Sequence, residues 1–488
     1  MSAESGYSLR SYLLIGGLIM AVLLSTWMIT GLGPDKGAII ALALIGGASC
    51  IYTLVNFEYG FYAGMVLGHL IFLIDRMFGD VMPTALMVDL QINATFVGLL
   101  IHKVAGRETF FKKSDHTITY AYILYTCYLI LEAFNPQMQS YEAWFFVLRK
   151  FIQFVMIYVI GLNMFTSIKK INFFMKFWGA CTLVSAGYGC YQQWFGLFEF
   201  EMNWIWAAPG RAGLYMLDNG DFRKFSILSG PAAYGILMGA CALLYAVLGF
   251  KEKSGPKRVV WFLITLLAVL GMAYAGTRTA YLIFVAGAVL YILMTITNRS
   301  TMIVAGLFFM GFVVIMWGPI YGNTTVNRIR SAFDTEDASL NVRDVNREMI
   351  QPYIHEHPMG GGLATSGNQG LQYSPGHRLA GFPPDSGFVK TAVETGWIGL
   401  FLQCLLYCLI LLSGVHAYYR TKDKQLKIYC LAALVTVFGF VISQYGQVSI
   451  GQIPDCFLFY SMLAMIVRIS KMPEGEKKEP LNEPLTES

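Results

Sequence analysis

The chain consists of apolar segments, each long enough for a helix, separated by polar segments. From Ser11 to Ile469, apolar runs of roughly twenty residues follow one another, separated mostly by short polar connections. A run of that length crosses the hydrocarbon core of a bilayer as an α-helix. We therefore predict an all-α, polytopic transmembrane protein of about fourteen helices. The predicted spans are 11–33, 37–56, 59–75, 83–101, 117–134, 144–166, 174–197, 226–249, 259–276, 278–297, 301–320, 386–414, 427–446 and 453–469.

Two long polar segments interrupt this series and divide the chain. The first, 198–225, is predicted to be an outer loop within the region 1–320, which carries transmembrane helices 1–11. The second, 321–385, is predicted to be a large outer loop carrying short helices, because 341–355 has apolar residues at helical spacing. Transmembrane helices 12–14 then occupy 386–470, and 471–488 is predicted to be a disordered cytoplasmic tail.

Composition and charge support a membrane protein and give its orientation. The chain is 56% hydrophobic and only 13% charged, a balance that excludes a soluble protein of this length. Basic residues collect in alternate connections, so the positive-inside rule predicts that the N- and C-termini are cytoplasmic. The net charge of +5 is modest and is explained by these orientation signals, so nucleic-acid binding is not predicted. The first apolar run lacks a small-residue cleavage site, so we expect a retained helix.

An arginine interrupts the longest apolar stretch. The sequence Gly276-Thr277-Arg278-Thr279 divides the segment 259–293, which is long enough for two spans, and predicts a tight hairpin at the outer surface. A guanidinium there could hold a phosphate through two parallel charge-assisted hydrogen bonds. The alternative is an interfacial arginine that extends its charged end to water.

Further cations lie in the two outer loops. Arg223 directly precedes the eighth predicted span, and with Arg278 it would place two cations near the outer ends of sequential helices. Such a pair could grip the diphosphate of a membrane-anchored lipid. Arg211 and Arg347 are weaker candidates for the same role, each of which could instead be a solvated loop charge.

The second loop also contains titratable residues. Asp385 enters the twelfth span after two prolines, where it could act as a general base or simply cap the helix. His377 is a second candidate base. The alternating pair His355 and His357 suits a helix poorly as a metal site, and the acidic run 334–337 is typical of a solvated surface, so no metal site is predicted.

Polar residues inside the predicted spans lie toward their outer ends. They are Asp89, Gln91, Asn93, Glu132, Gln444, Gln447, Gln452 and Asp455. A transporter places such residues near the midplane, so this bias favours a cavity that opens outward.

Three stretches resemble the bacterial O-antigen ligase and O-antigen polymerase superfamily of membrane glycosyltransferases. Residues 223–234 resemble that family's arginine before a Gly/Pro-containing helix entry, and 276–282 resemble its outer-hairpin arginine motif. The most specific stretch combines 357–362 with 385–389 and 394–400, which resemble the end of the family's large periplasmic loop. The resemblance covers about the C-terminal half of the chain.

This resemblance implies where the long loop lies, which reaction the protein catalyses and which residues take part. It makes 321–385 a periplasmic loop in a protein of the bacterial inner membrane. It implies transfer of a saccharide from undecaprenyl diphosphate to an acceptor hydroxyl, with inversion at the anomeric carbon and without metal or cofactor. Arg223 and Arg278 would hold the diphosphate, which gains negative charge in the transition state. Asp385 stands where the family usually has a histidine, which leaves Asp385 and His377 as alternative bases.

Several functions remain open from the sequence. The acceptor could be a growing glycan, as in a polymerase, or lipid A core, as in a ligase, or a protein hydroxyl. A different class, a lipid-linked oligosaccharide flippase or polysaccharide exporter without transferase activity, is the alternative. That class needs a charged passage open to both faces, which the outward bias of the polar residues disfavours.

Overall fold

A computed structural model describes residues 26, 34–80, 84–108, 113–217, 220–320, 322, 324–331 and 338–472. Within these residues the secondary structure is helical, without a β-strand. The helices are α1 Pro34–Val55, α2 Phe57–Met77, α3 Thr84–Ala105, α4 Thr117–Leu131, α5 Tyr141–Met164, α6 Ile168–Phe195, α7 Glu199–Trp206, α8 Arg211–Tyr215, α9 Pro231–Lys251, α10 Gly255–Ala275, α11 Arg278–Thr295, α12 Arg299–Trp317, α13 Thr324–Ser331, α14 Ala338–Glu356, α15 Gly367–Tyr373, α16 Gly387–Arg420, α17 Lys424–Ser443 and α18 Asp455–Lys471.

The predicted spans coincide with helices wherever the structure describes them. Every predicted span from 37–56 to 453–469 overlaps one of these helices, whereas the first, 11–33, lies outside the described residues except for Thr26. Among the described residues, 9 helices are long and apolar enough to cross a membrane. Two further apolar helical segments, Ile40–Val55 of α1 and Thr301–Trp317 of α12, are also described. The structure thus supports a polytopic helical membrane protein without fixing the count at fourteen.

Backbone contacts divide the chain into two compact units. The first consists of Met1–Gly64 and Phe78–Glu108, and its described part includes α1 and α3. The buried Gln91 side chain of α3 donates to Thr53 Oγ1 at 3.0 Å and to the Gly60 carbonyl at 3.1 Å. Gly98 lets the helices approach, because a Cβ there would lie 2.4 Å from the Thr53 carbonyl oxygen. Gln91, which the sequence placed beside a cavity, therefore serves helix packing.

The second unit, Met65–Met77 with Thr109–Ser488, carries the candidate site residues. Its interior is formed by α9 and α17, most of whose residues are buried. Around α9 pack α10, α11 and α17, and α18 packs on α5 and α17. Close contact needs small residues: a Cβ on Gly239 of α9 would lie 2.9 Å from the Ala280 carbonyl oxygen of α11.

A break divides the helix that the sequence predicted as one continuous span, 386–414. Gly396 in α16 has φ 68° and ψ −174°, which is not helical. A Cβ at this position would lie 1.9 Å from the Pro358 carbonyl oxygen, so only glycine fits. The first part of α16 is thereby tied to the chain that precedes it.

The segment predicted as the large outer loop contains helices. The amphipathic helix predicted at 341–355 is present as α14. In the sequence, α13 precedes it and α15 follows it. Ile350 and Tyr353 of α14 pack against Leu379 and against Val393 of α16. The acidic run 334–337 and the tail from 473 onward lie outside the described residues.

Candidate functional site

Arg223 belongs to the loop before α9, and its side chain packs against the turn between α10 and α11. Its Nε donates to the Ala275 carbonyl at 3.1 Å, and its Nη2 donates to Thr277 Oγ1 at 2.9 Å. The Thr277 hydroxyl in turn donates to the Pro231 carbonyl at 2.9 Å. One guanidinium therefore connects the loop before α9 with the hairpin that the sequence predicted around Arg278.

Arg278 is the first residue of α11 and is partly buried. The turn before it begins with Gly276, whose φ of 60° is left-handed and suits glycine. Because Arg223 bonds to the residue that precedes Arg278, the structure brings the two arginines to the same turn. Two cations beside the N-terminus of a helix form a surface that favours an anion.

A buried polar network holds the segment that carries Arg223. Gln192 of α6 accepts from the Ser226 N–H at 2.8 Å through its Oε1 and donates to Glu201 Oε1 at 2.8 Å through its Nε2. Burial raises the pKa of the Glu201 carboxyl above its ordinary value. Arg76, only 4% exposed, donates to the Ser226 carbonyl at 2.8 Å and to the Leu228 carbonyl at 2.9 Å. The conformation of 222–230 is thus set by contacts on both sides.

Asp385 and Arg347 lie together at the start of α16. Asn346 Nδ2 donates to Asp385 Oδ2 at 3.3 Å. The adjacent Arg347 donates to the Tyr445 hydroxyl at 3.0 Å, and its guanidinium carbon lies 4.5 Å from the centre of the Tyr445 ring. Tyr445 is 60% exposed, so this group faces the outside of the fold.

Asp385 does not cap α16. Ser386 is the capping residue, since its hydroxyl accepts from the Phe388 N–H at 3.2 Å and donates to the Gln444 carbonyl at 2.8 Å. The capping role that position alone suggested for Asp385 is therefore wrong. Its carboxylate is partly buried and remains beside Asn346.

The two groups of residues are neighbours. Gly446, which follows Tyr445, packs against the first turn of α11: a Cβ at Gly446 would lie 3.1 Å from Thr279 Oγ1. Thr279 directly follows Arg278. Contacts therefore run without interruption from Arg223 through the hairpin to the turn after α17, and from there to Arg347. We call the surface formed by Arg223, Arg278, Arg347, Asp385 and Tyr445 the arginine face.

His377 lies apart from these hydrogen bonds. It is 8% exposed, and its Nδ1 accepts from the Leu379 N–H at 3.1 Å, which stabilises a turn. Burial lowers the pKa of His377 below its ordinary value, and the charge of the neighbouring His357 lowers it further. No contact of the described residues joins His377 directly to Asp385, so the structure favours a structural role for this ring.

Arg211 also has a local role. At the start of α8 its Nη1 donates to the Trp204 carbonyl at 2.6 Å, and the guanidinium lies 4.0 Å from the centre of the Trp204 ring. Trp204 and Tyr215 pack against Phe225, two residues beyond Arg223. Arg211 therefore supports the segment that carries Arg223.

The motif at 357–362 packs on the break in α16. The Gly361 and Gly362 amides donate to the Val393 and Glu394 carbonyls at 2.8 and 2.9 Å. The Glu394 carboxylate, 3% exposed, accepts from the Ser366 hydroxyl at 2.5 Å. These two parts of the motif are therefore a structural joint that fixes where α16, and with it Asp385, begins.

Sequence reasoning missed several residues of this region. Asn346 is neutral and lies in a polar loop, and Tyr445 is an aromatic residue at the end of the predicted span 427–446, so nothing in the sequence singled out either residue. Arg76 lies one residue beyond the predicted span 59–75 and was given no role, although an arginine at the end of a span that is buried in the protein signals a buried partner. Among the described residues, no group of three or more His, Cys, Asp or Glu side chains is arranged to hold a metal ion.

Comparison with known proteins agrees with the motifs. Residues 262–404 match the model of the family described as O-Antigen ligase, and the matched part includes Arg278, Arg347, His377 and Asp385. This match supports a resemblance of residues 262–404 to the O-antigen ligase-like superfamily, whose members are glycosyltransferase-like ligases and polymerases. The apolar helices of the described residues independently indicate a multi-pass membrane protein. No curated protein matches the chain.

Proposed function

We propose that this protein is an inverting glycosyltransferase that moves a saccharide from undecaprenyl diphosphate to an acceptor hydroxyl at the periplasmic face. The observation that carries this proposal is the arginine face: Arg223 bonds the α10–α11 turn that ends at Arg278, and Asp385 is linked to that turn through Asn346, Arg347 and the Tyr445 turn. The family match supports a glycan as the substrate class.

Arg223 and Arg278 take the diphosphate. As the bond between the anomeric carbon and the phosphate oxygen breaks, negative charge grows on the leaving undecaprenyl diphosphate. Guanidinium groups that are already in position stabilise that charge more than the ground state, and so lower the barrier. Three backbone or hydroxyl contacts hold Arg223 before any donor arrives.

Asp385 is the proposed general base. It takes the proton of the acceptor hydroxyl while that oxygen forms its bond to the anomeric carbon, opposite the leaving diphosphate. Asn346 orients the carboxylate through its amide, whereas the guanidinium of the adjacent Arg347 pairs with Asp344 at 3.3 Å and donates to the Tyr445 hydroxyl. His377, whose Nδ1 is occupied by a backbone amide, is the weaker candidate. The reaction as proposed uses neither a metal nor a cofactor.

The acceptor stays open among a growing glycan, lipid A core and a protein hydroxyl. Each presents a hydroxyl to the same base, and no residue of the arginine face distinguishes them. The non-enzymatic alternative, a flippase or exporter, would move the intact lipid-linked saccharide without breaking the bond to phosphate.

A reconstituted assay tests the proposal. Purified protein in liposomes is given a radiolabelled undecaprenyl-diphosphate saccharide and an acceptor glycan, and release of undecaprenyl diphosphate is followed by chromatography. We expect release by the wild type, and at least about 100-fold slower release by Arg278→Ala and by Asp385→Asn. Arg299→Ala, at the first residue of α12, is the matched control. Transport of intact donor without bond cleavage would instead establish the flippase.

A further inference from the structure

A cavity lies at the ends of the central helices that are farthest from the arginine face. Its volume is about 570 Å³, and it is formed where α9 ends and where α10 and α17 begin. The arginine face lies at the other ends of these three helices. Since α9 and α10 each have 21 residues, roughly 30 Å separates the two sites. The cavity therefore belongs to neither the donor nor the acceptor of the proposed reaction.

The cavity is strongly basic. Five lysines line it: Lys176, Lys251, Lys253, Lys257 and Lys424. In the described part of the chain, none of these five side chains forms an ion pair. The lining has one acidic residue, Glu252, whose carboxylate accepts from the Lys253 and Ser254 amides at 2.9 and 3.0 Å. The positive charge of the cavity is thus not neutralised by the protein.

The remaining walls are apolar or aromatic and continue onto an exposed helix face. Trp261 and Ile428 line the interior, together with Val260. On α10, Val259 is 68% exposed and Leu263 is 49% exposed, so an apolar strip leads away from the lysines along the helix. Because α10 is one of the candidate membrane spans, this strip faces the acyl chains of the bilayer, so a lipid whose headgroup lies among the lysines can place its own acyl chains along it.

We infer that this cavity, which we call the lysine pocket, binds the phosphate headgroup of an anionic phospholipid. Its lysines hold the phosphate, and the acyl chains lie against the exposed face of α10. Basic pockets between transmembrane helices are suited to anionic headgroups, and the sequence predicts that this end is cytoplasmic. The inference does not rest on the proposed transferase activity.

Native mass spectrometry of the full-length protein tests this inference. The protein is released from detergent in the presence of phosphatidylglycerol or phosphatidylcholine, and retained lipid is counted. We expect phosphatidylglycerol to be retained preferentially. The triple variant K176A/K257A/K424A changes three exposed lysines, so it should fold and should bind phosphatidylglycerol on the order of 100-fold more weakly.

Two further variants and one competitor make the test specific. The matched control R420A/K422A/K427A removes the same charge outside the pocket and should bind like the wild type, as should K176R/K257R/K424R. Equal retention of phosphatidylcholine, or unchanged binding by K176A/K257A/K424A, would overturn the inference. Displacement of the lipid by millimolar glycerol phosphate would show that a soluble phosphate is the ligand instead, which also contradicts the lipid assignment.

Discussion

Thr277 connects the two arginines that we propose hold the donor. Its hydroxyl accepts from Arg223 and donates to the Pro231 carbonyl, and it makes no capping hydrogen bond to α11. The Thr277 hydroxyl therefore holds the Arg223 side chain in position. A residue of this kind has no charge and no motif of its own, so only the folded chain reveals its role.

Replacing Thr277 tests this positioning. Thr277→Val keeps the shape but removes the acceptor for Arg223, and a hydrogen bond to a charged group contributes about 1.5–3 kcal/mol. We expect kcat/KM for donor to fall roughly 10- to 100-fold while the protein level stays normal. Thr265→Val on α10, where the hydroxyl only donates to the Trp261 carbonyl, should leave kcat/KM unchanged. Equal effects of both variants would contradict the positioning role.

His377 gives a prediction about pH. Burial lowers its pKa in the folded state, so the unfolded chain binds the proton more readily and stability falls as pH drops below about 6.5. Protonation would also remove the Nδ1 acceptor of the Leu379 amide. His377→Asn keeps an acceptor but does not titrate. We expect its melting temperature to fall less between pH 7.5 and pH 5 than that of the wild type. If the melting temperatures of both proteins fell by the same amount, His377 would not be the cause of the pH dependence.

At the scale of elements, the joint between 357–362 and α16 determines where the catalytic candidates lie. Gly396 breaks the helix, and the carbonyl of Pro358 fills the space beside it. The sequence predicted the span 386–414 correctly from its apolar character, but it could not predict the break. A glycine inside an apolar run is common in membrane helices, and only the contact with Pro358 shows its conformation.

Gly396→Ala should strongly destabilise the folded protein. The new methyl group would meet the Pro358 carbonyl oxygen, and φ 68° is unfavourable for alanine, so we expect a loss of about 3 kcal/mol in stability. Thermal unfolding in detergent measures it. Gly187→Ala in α6 is the control, since a Cβ there meets nothing within 4 Å and helix propensity favours alanine. A normal melting temperature for Gly396→Ala would contradict the joint.

At the scale of the whole molecule, hydropathy was sufficient to place the long apolar helices that the structure describes, but not the short helices α7 and α8 within 198–225. Arg278 could also be singled out from the sequence, since it interrupts an apolar stretch long enough for two spans, and Arg223 could be singled out because it directly precedes the eighth predicted span. The link between them and Asp385 could not, because it depends on the close approach of Gly446 to Thr279, residues far apart in the chain.

The most direct test of the account is the lipid pool of cells that lack the protein. Undecaprenyl-diphosphate saccharides are measured by mass spectrometry in a deletion strain that carries the wild-type gene, Arg278→Ala or the control Arg299→Ala. We predict that lipid-linked saccharide accumulates in the deletion strain and with Arg278→Ala, at normal protein level, and returns to the wild-type amount with Arg299→Ala. A lipid pool that is the same in all strains, with unchanged surface glycans, would contradict a transferase that consumes this donor.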